Sequence, residues 1–194
     1  MIMKTLFGLL LIVVVAGCTS VTSKNQIGTK PVKLVAEDWE GVWSNGKDQV
    51  FYIKIKDAKK GIIRVAVVAD KKGDFKLYKF DATVKEGESL KFFNIQVQDI
   101  VDKDDEELKD KEYATSYYWL MVMNKNDHLV MYFPNPKKIA ELIESGKLKG
   151  EKKKSYLIMS GSSEEVTRFV ESQKNGELFM WKEPMPLIKI LNKK

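Results

Sequence analysis

A mainly β fold with two short helices, β-rich α+β, is expected from three features of the sequence. Runs of residues rich in Val, Ile and aromatics alternate with polar ones over most of the chain. Short charged loops, most of them carrying glycine, separate those runs. Two segments in the final third bear helix-start and helix-stop signals.

The first long run, Gln49 to Asp57, sets Phe51, Ile53 and Ile55 against Tyr52, Lys54 and Lys56. Asp57-Ala58-Lys59-Lys60-Gly61 turns it into Ile62–Ala69. Asp70-Lys71-Lys72-Gly73-Asp74 turns again into Phe75–Val84, and Lys85-Glu86-Gly87-Glu88 into Leu90–Gln98. Glycine-containing charged loops between β-branched runs are hairpin signals, and consecutive hairpins make an antiparallel meander. Residues 102–112 are Asp, Glu and Lys throughout apart from Leu108, and they interrupt the pattern. A strand is expected at Tyr113–Met123, a turn at Asn124–Asp127 and a return at Leu129–Phe133.

The last third changes style. Asn135-Pro136 has the form of an N-cap followed by proline at the first helical position, with Ile139, Leu142 and Ile143 as an apolar stripe and Gly146 as the stop. After a strand near Tyr156–Ser160, Ser162-Ser163-Glu164-Glu165 is a capping-box pattern opening a helix through Gln173, with Val166, Phe169 and Val170 inward and Asn175-Gly176 at its end. Leu178–Lys182 and Leu187–Ile190 are expected to close the sheet around a Pro184-Met185-Pro186 corner. Eight or nine antiparallel strands favour a closed barrel, because closure removes exposed edges. A two-sheet sandwich is the alternative.

Before this domain, expected over residues 37–194, lie two segments of different character. Residues 1–17 combine Lys4 with an apolar stretch from Leu6 to Ala16, too short for a bilayer but suited to a signal-peptide core. Val15-Ala16-Gly17-Cys18 is similar to the bacterial lipobox, which implies cleavage before Cys18 and lipid on its sulfur. An ordinary secretory leader with an incidental cysteine is the other reading. Thr19, where an aspartate would favour inner-membrane retention, leans towards the outer membrane, facing the periplasm or the cell surface. Residues 18–36 are polar, contain Pro31, and are expected to form a lipidated tether. Cys18 is the only cysteine, so the exported domain has no disulfide.

Composition narrows the function classes. With 44% hydrophobic and 31% charged residues the chain has a globular profile, and no second membrane span is expected. The net charge is +6, and loss of a leader carrying one lysine and no acid leaves +5. Arg64 and Arg168 are the only arginines. A lysine excess without arginine is a poor nucleic-acid footprint, so no nucleic-acid partner is expected.

No catalytic constellation and no cofactor motif stands out. His128 is the only histidine and sits in an Asn-Asp-His turn, so no multi-histidine metal site is expected. The acidic run Asp102–Glu107 lacks the glycine of a calcium loop and is interleaved with lysine, as expected of a solvated loop. Lys147, Lys149, Lys152, Lys153 and Lys154 form a basic loop that includes Glu151. On the Tyr113–Met123 strand, Tyr113, Tyr117, Trp119, Met121 and Met123 share one face, and Ala114, Ser116, Tyr118, Leu120 and Val122 the other. With both faces apolar, the strand is expected to be covered on both sides. Tyr117, Trp119 and Met121 are the candidate lining of a ligand cavity, with plain core as the competing role.

Gly41-Val42-Trp43, leading into the first strand, resembles the Gly-x-Trp signature of lipocalins and their calycin relatives. The resemblance implies an eight-stranded barrel with the tryptophan plugging one end and a small apolar ligand inside. Thr115-Ser116-Tyr117 is a poor match for the family's Thr-Asp-Tyr motif, and helices interrupt the final strands instead of following them. The expected function is therefore non-enzymatic: a membrane-anchored envelope protein binding a small apolar ligand or a partner protein. A structural lipoprotein with no cavity, docking on another envelope protein, is the alternative.

Overall fold

The computed structural model describes residues 19–71, 74–101, 105–125, 128–173 and 177–191. The leader, Cys18, the Asp102–Asp104 part of the acidic run and the expected stop at Asn175-Gly176 lie outside them. In chain order the elements are β1 (Ser20–Ser23), β2 (Lys30–Pro31), α1 (Ala36–Trp39), β3 (Gly41–Ser44), β4 (Gln49–Asp57), β5 (Ile62–Lys71) and β6 (Asp74–Glu86). There follow β7 (Lys91–Gln96), α2 (Lys111–Thr115), β8 (Tyr117–Lys125), β9 (His128–Tyr132), α3 (Pro136–Glu144), β10 (Gly150–Lys152), β11 (Tyr156–Met159), α4 (Ser163–Ser172) and β12 (Met185–Leu191).

Strands β3 to β9 and β12 form a closed, eight-stranded antiparallel barrel. The meander β3–β9 pairs neighbour to neighbour, and β12 closes the gap by pairing with both β9 and β3. Period-2 alternation then sends Trp43, Phe51, Ile53, Val65, Phe93 and Leu129 into one buried cluster inside the wall. An eight-stranded barrel is just wide enough for such side chains to fill it.

One end of the barrel is plugged by α1. The Trp43 indole N–H donates to the Trp39 carbonyl at 3.2 Å, and the Trp39 ring meets Phe93 edge-on at 5.7 Å. The Lys189 ammonium lies 4.9 Å from the Trp43 ring centre and donates to the Glu37 carbonyl. Its charge is thus shared between a π face and a carbonyl at the mouth of an otherwise apolar interior.

A second layer grows from the wall. Only Met121–Lys125 of β8 pairs with β9, which leaves the edge at Tyr117 and Tyr118 free for β1. Strand β11 pairs in parallel with β1, and β10 pairs with β11. Helices α3 and α4 bury Ile139, Leu142, Val166 and Val170 against this branch and the outer face of β8. The two expected caps are present: the Asn135 side chain accepts from the Lys138 N–H, and Ser162 and Glu165 close a reciprocal capping box.

Three expectations are corrected. The polar segment over residues 18–36 does not form a tether: from Ser20 on it is folded, with Thr22 and Ser23 fully buried between neighbouring strands. The flanking strands take up the backbone groups, and the Thr22 hydroxyl donates to the Leu157 carbonyl at 3.2 Å, while the buried Ser23 hydroxyl has no partner among the described residues. Tyr113 belongs to α2 and not to the following strand, because Asp110 caps a helical turn through the N–H groups of Glu112 and Tyr113. Among the described residues Leu178–Lys182 makes only the single bridge of Phe179 to Pro134; Leu178 and Phe179 pack into the layer beneath the helices, while Trp181 is exposed.

Asn94 fastens the folded N-terminal segment to the barrel. Buried on the outer face of β7, it accepts from the Ile27 N–H at 2.6 Å and donates to the Ile27 carbonyl at 2.9 Å. Replacing Asn94 with Ala leaves both backbone groups without their partner, and a loss of about 1–3 kcal/mol in denaturant unfolding is expected. Trp43→Ala, which empties a fully buried ring position beneath α1, is expected to cost about 3–5 kcal/mol in the same measurement.

Candidate functional site

The expected ligand stripe lies outside the barrel wall. Trp119 and Met121 are 2% and 1% exposed and belong to the layer under α3 and α4, while Leu120 and Val122 face the interior. Trp119 meets Phe92 edge-on at 6.3 Å and Phe179 at 5.9 Å. Tyr117 is half-buried at the start of β8. The structure thus brings Trp119 and Met121 together among core side chains, and both faces of the strand from Trp119 to Val122 are covered as expected.

A cluster of three tyrosines lies where β1 meets β8 and β11. Tyr113 stacks on Tyr156 with ring centres 4.2 Å apart, and its hydroxyl bonds to that of Tyr118 and lies 3.3 Å from the Ser20 hydroxyl. The Tyr156 hydroxyl donates to the Asp110 carboxylate at 2.6 Å. Burial pushes all three phenols above their ordinary pKa. The Tyr156 hydrogen bond, followed by the N–H groups of Tyr113 and Glu112, holds Asp110 below the usual carboxylate range. These hydrogen bonds tie α2 to the β1 branch.

Other charged groups are engaged at the surface. Lys149, Lys152 and Lys153 pair with Glu165, Glu144 and Glu151, so the basic loop is largely compensated locally. Asp105 caps a short turn by accepting from Glu107, and Lys109 pairs with Glu106. His128 is exposed at the start of β9. Among the described residues no group of three or more His, Cys, Asp or Glu is placed to hold a metal ion, and no helix is long and apolar enough to cross a membrane.

The outer face of the barrel is different. In direct cross-strand register lie Leu77 and Val68, Val68 and Val50, Val50 and Ser44, then Ser44 and Ile188. Val50 and Val68 point outward because their chain neighbours are buried, cross-strand register puts the others on the same face, and every apolar member of the row is exposed. Tyr52 and Ile190, also exposed, widen the row towards the plugged end. The result is a mainly apolar belt over five neighbouring strands, with the half-buried Ser44 as its polar member on β3, about 19 Å across at about 4.8 Å a strand. Single exposed apolar residues are ordinary on a protein surface, whereas a contiguous belt marks an interaction surface.

Charged side chains rim the belt. Asp81 takes two hydrogen bonds from Arg64, at 2.8 and 3.1 Å, and one from Lys56 at 2.7 Å, with Lys54 beside Arg64 in register. Sequence reasoning passed over the belt because Val50, Tyr52, Val68 and Leu77 look like ordinary strand residues until register lines them up. No family model matches the chain, and neither a curated protein nor a solved structure does.

The Arg64 guanidinium, with Lys56 adding to it, lowers the Asp81 carboxyl from its ordinary 3.8 to about 2. A depressed folded-state pKa contributes stability that is present above the unfolded value and lost as pH falls from about 4 to about 2. Unfolding measured across that window is expected to show a shallower acid dependence for Asp81→Asn than for the wild type.

Proposed function

We propose that this protein is a lipid-anchored, non-enzymatic docking protein of the bacterial cell envelope, working through the outer face of its barrel. The observation that carries this reading is the exposed belt from Leu77 to Ile188, against a barrel interior occupied by its own side chains. A hydrophobic belt with a charged rim has the anatomy of a protein interface, in which the apolar centre supplies affinity and the rim supplies orientation.

The leader and the lipobox-like Val15-Ala16-Gly17-Cys18 support anchorage, with Thr19 favouring the outer membrane. One residue separates Cys18 from the first residue of β1, so lipid on that sulfur would hold the barrel close to the bilayer and limit its rotation. That closeness suits a protein that presents one side of itself to a neighbour in the same membrane. The eight-stranded barrel and the Gly-Val-Trp entry support a lipocalin-like ancestry, in which a small-ligand role has been given up for docking.

Three measurements test this. Cys18→Ser is expected to release the protein from membranes washed with high salt, and retention would defeat the anchor. A photo-crosslinking residue at Tyr52 is expected to give one discrete protein adduct in the native envelope. Adding Val68→Lys should abolish that adduct while leaving the unfolding midpoint within about 0.5 kcal/mol, as expected of a surface change. Native mass spectrometry of the protein taken from its own envelope should show the mass of the lipidated mature chain with nothing further bound, and a co-purifying apolar metabolite would support the small-ligand reading instead.

A further inference from the structure

Between the apolar row and the plugged end, the outer wall has a notch. Ala66 is opposed by Tyr52 on β4 and by Lys79 on β6, and its same-face neighbours along β5 are Arg64 and Val68. A methyl group thus sits among longer side chains on every side, about 5 Å away across the strands and about 7 Å away along β5. Tyr52, Val68 and Lys79 are exposed, and Arg64 and Ala66 are half-buried, so the notch opens to solvent.

Positive charge is in excess around it. Lys54, Lys56, Arg64 and Lys79 outnumber the carboxylates of Asp81 and Glu40, and both carboxylates are engaged within the chain. Asp81 takes Arg64 and Lys56, and Glu40 accepts from the Ile55 N–H at 2.9 Å. The cations are not used up. Arg64 gives its Nε–H and one Nη to Asp81 and makes no other hydrogen bond among the described residues. Donors are therefore left on a planar fork whose orientation Asp81 already fixes. Lys54 and Lys79 form no ion pair among the described residues.

We infer that the protein docked on the belt places a carboxylate over Ala66, held by Arg64 and Lys79, with the carbon chain of that acid against Tyr52 and Val68. The occupant is an acidic segment of the partner, selected by charge complementarity. Tyrosine and arginine side by side are also the residue types that carry much of the binding energy at interfaces. An anionic bilayer responds to net positive charge, from which Asp81 only subtracts. What Asp81 supplies is a fixed Arg64 fork, and a fixed fork suits one directed carboxylate. This site rests on the docking reading and adds to it the chemistry of the partner.

In the native envelope, a carbodiimide is expected to join the Lys79 amine to an Asp or Glu side chain of the polypeptide that a photo-crosslinker at Tyr52 captures. The amide bond forms as the reagent leaves as its urea with one carboxyl oxygen. Lys79→Arg, cationic but without a primary amine, should lose that amide. Lys79→Glu, which sets like charges together, should lower the yield of the Tyr52 adduct about tenfold or more, and Ala66→Leu, which fills the notch, should lower it as well. Lys60→Glu, the same charge change at the β4–β5 turn, should leave the yield unchanged, and each of these surface variants should keep the wild-type unfolding midpoint. Wild-type yield from Lys79→Glu or from Ala66→Leu would overturn the carboxylate site while the docking reading stood. A Tyr52 adduct with a phospholipid would assign this face to the membrane and overturn the site, and no Tyr52 adduct at all would defeat the docking reading and the site together.

Discussion

Strand β8 carries a constraint on which the rest of the molecule depends: one strand has three partners. One edge pairs with β7 over Tyr117–Val122, and the other is divided between β9 and β1. The β9 half closes the barrel through β12. The β1 half starts the branch sheet under the helices. Because both arrangements share one backbone, β8 is covered on its two faces, and its side chains from Trp119 to Val122 are all buried. A polar residue anywhere in that stretch would strain the barrel core or the outer layer.

The division of β8 also explains how polar groups are used in the interior. Where the two layers diverge, irregular backbone has to be satisfied by side chains, and each junction has one dedicated residue. Asn94 holds the Ile27 segment to β7, and Asp110 caps α2 while accepting from Tyr156. Glu171 accepts from the N–H groups of Glu88, Ser89 and Leu90, tying α4 to the β6–β7 turn. Against the upward push of burial, those N–H groups hold its pKa below the ordinary glutamate value. These contacts join the segments before and after the meander to it, so the outer layer and the barrel support each other.

A barrel wall normally has two distinct faces, apolar within and polar without. Here the side of the wall away from the helices departs from that pattern, with Val50, Tyr52, Val68, Leu77 and Ile188 outside. High β propensity on an outer face steadies the strands, but lined up in register it creates surface that water covers poorly. Exposed apolar surface concentrates opposite the layer that buries β8, so one side of the molecule is devoted to its own packing and the other carries the belt.

The sequence by itself determined the local grammar. Turn residues and period-2 alternation marked β4 to β7, with β4 bounded at Gln49 and Asp57, and the Asn135-Pro136 and Ser162–Glu165 caps marked α3 and α4. These are short-range signals, each decided by a backbone conformation or a hydrogen bond within a few residues. Only the tertiary structure decided which face of β8 lies inside, because Trp119 and Met121 are as apolar as Leu120 and Val122 and alternation cannot choose between them. It also decided that Ser20–Ser23 is a buried strand, since four residues rich in hydroxyl groups carry no signal until two other strands flank them. The belt depends on register across neighbouring strands, including that of β3 with the distant β12, and register is a property of pairs, which no single segment carries alone.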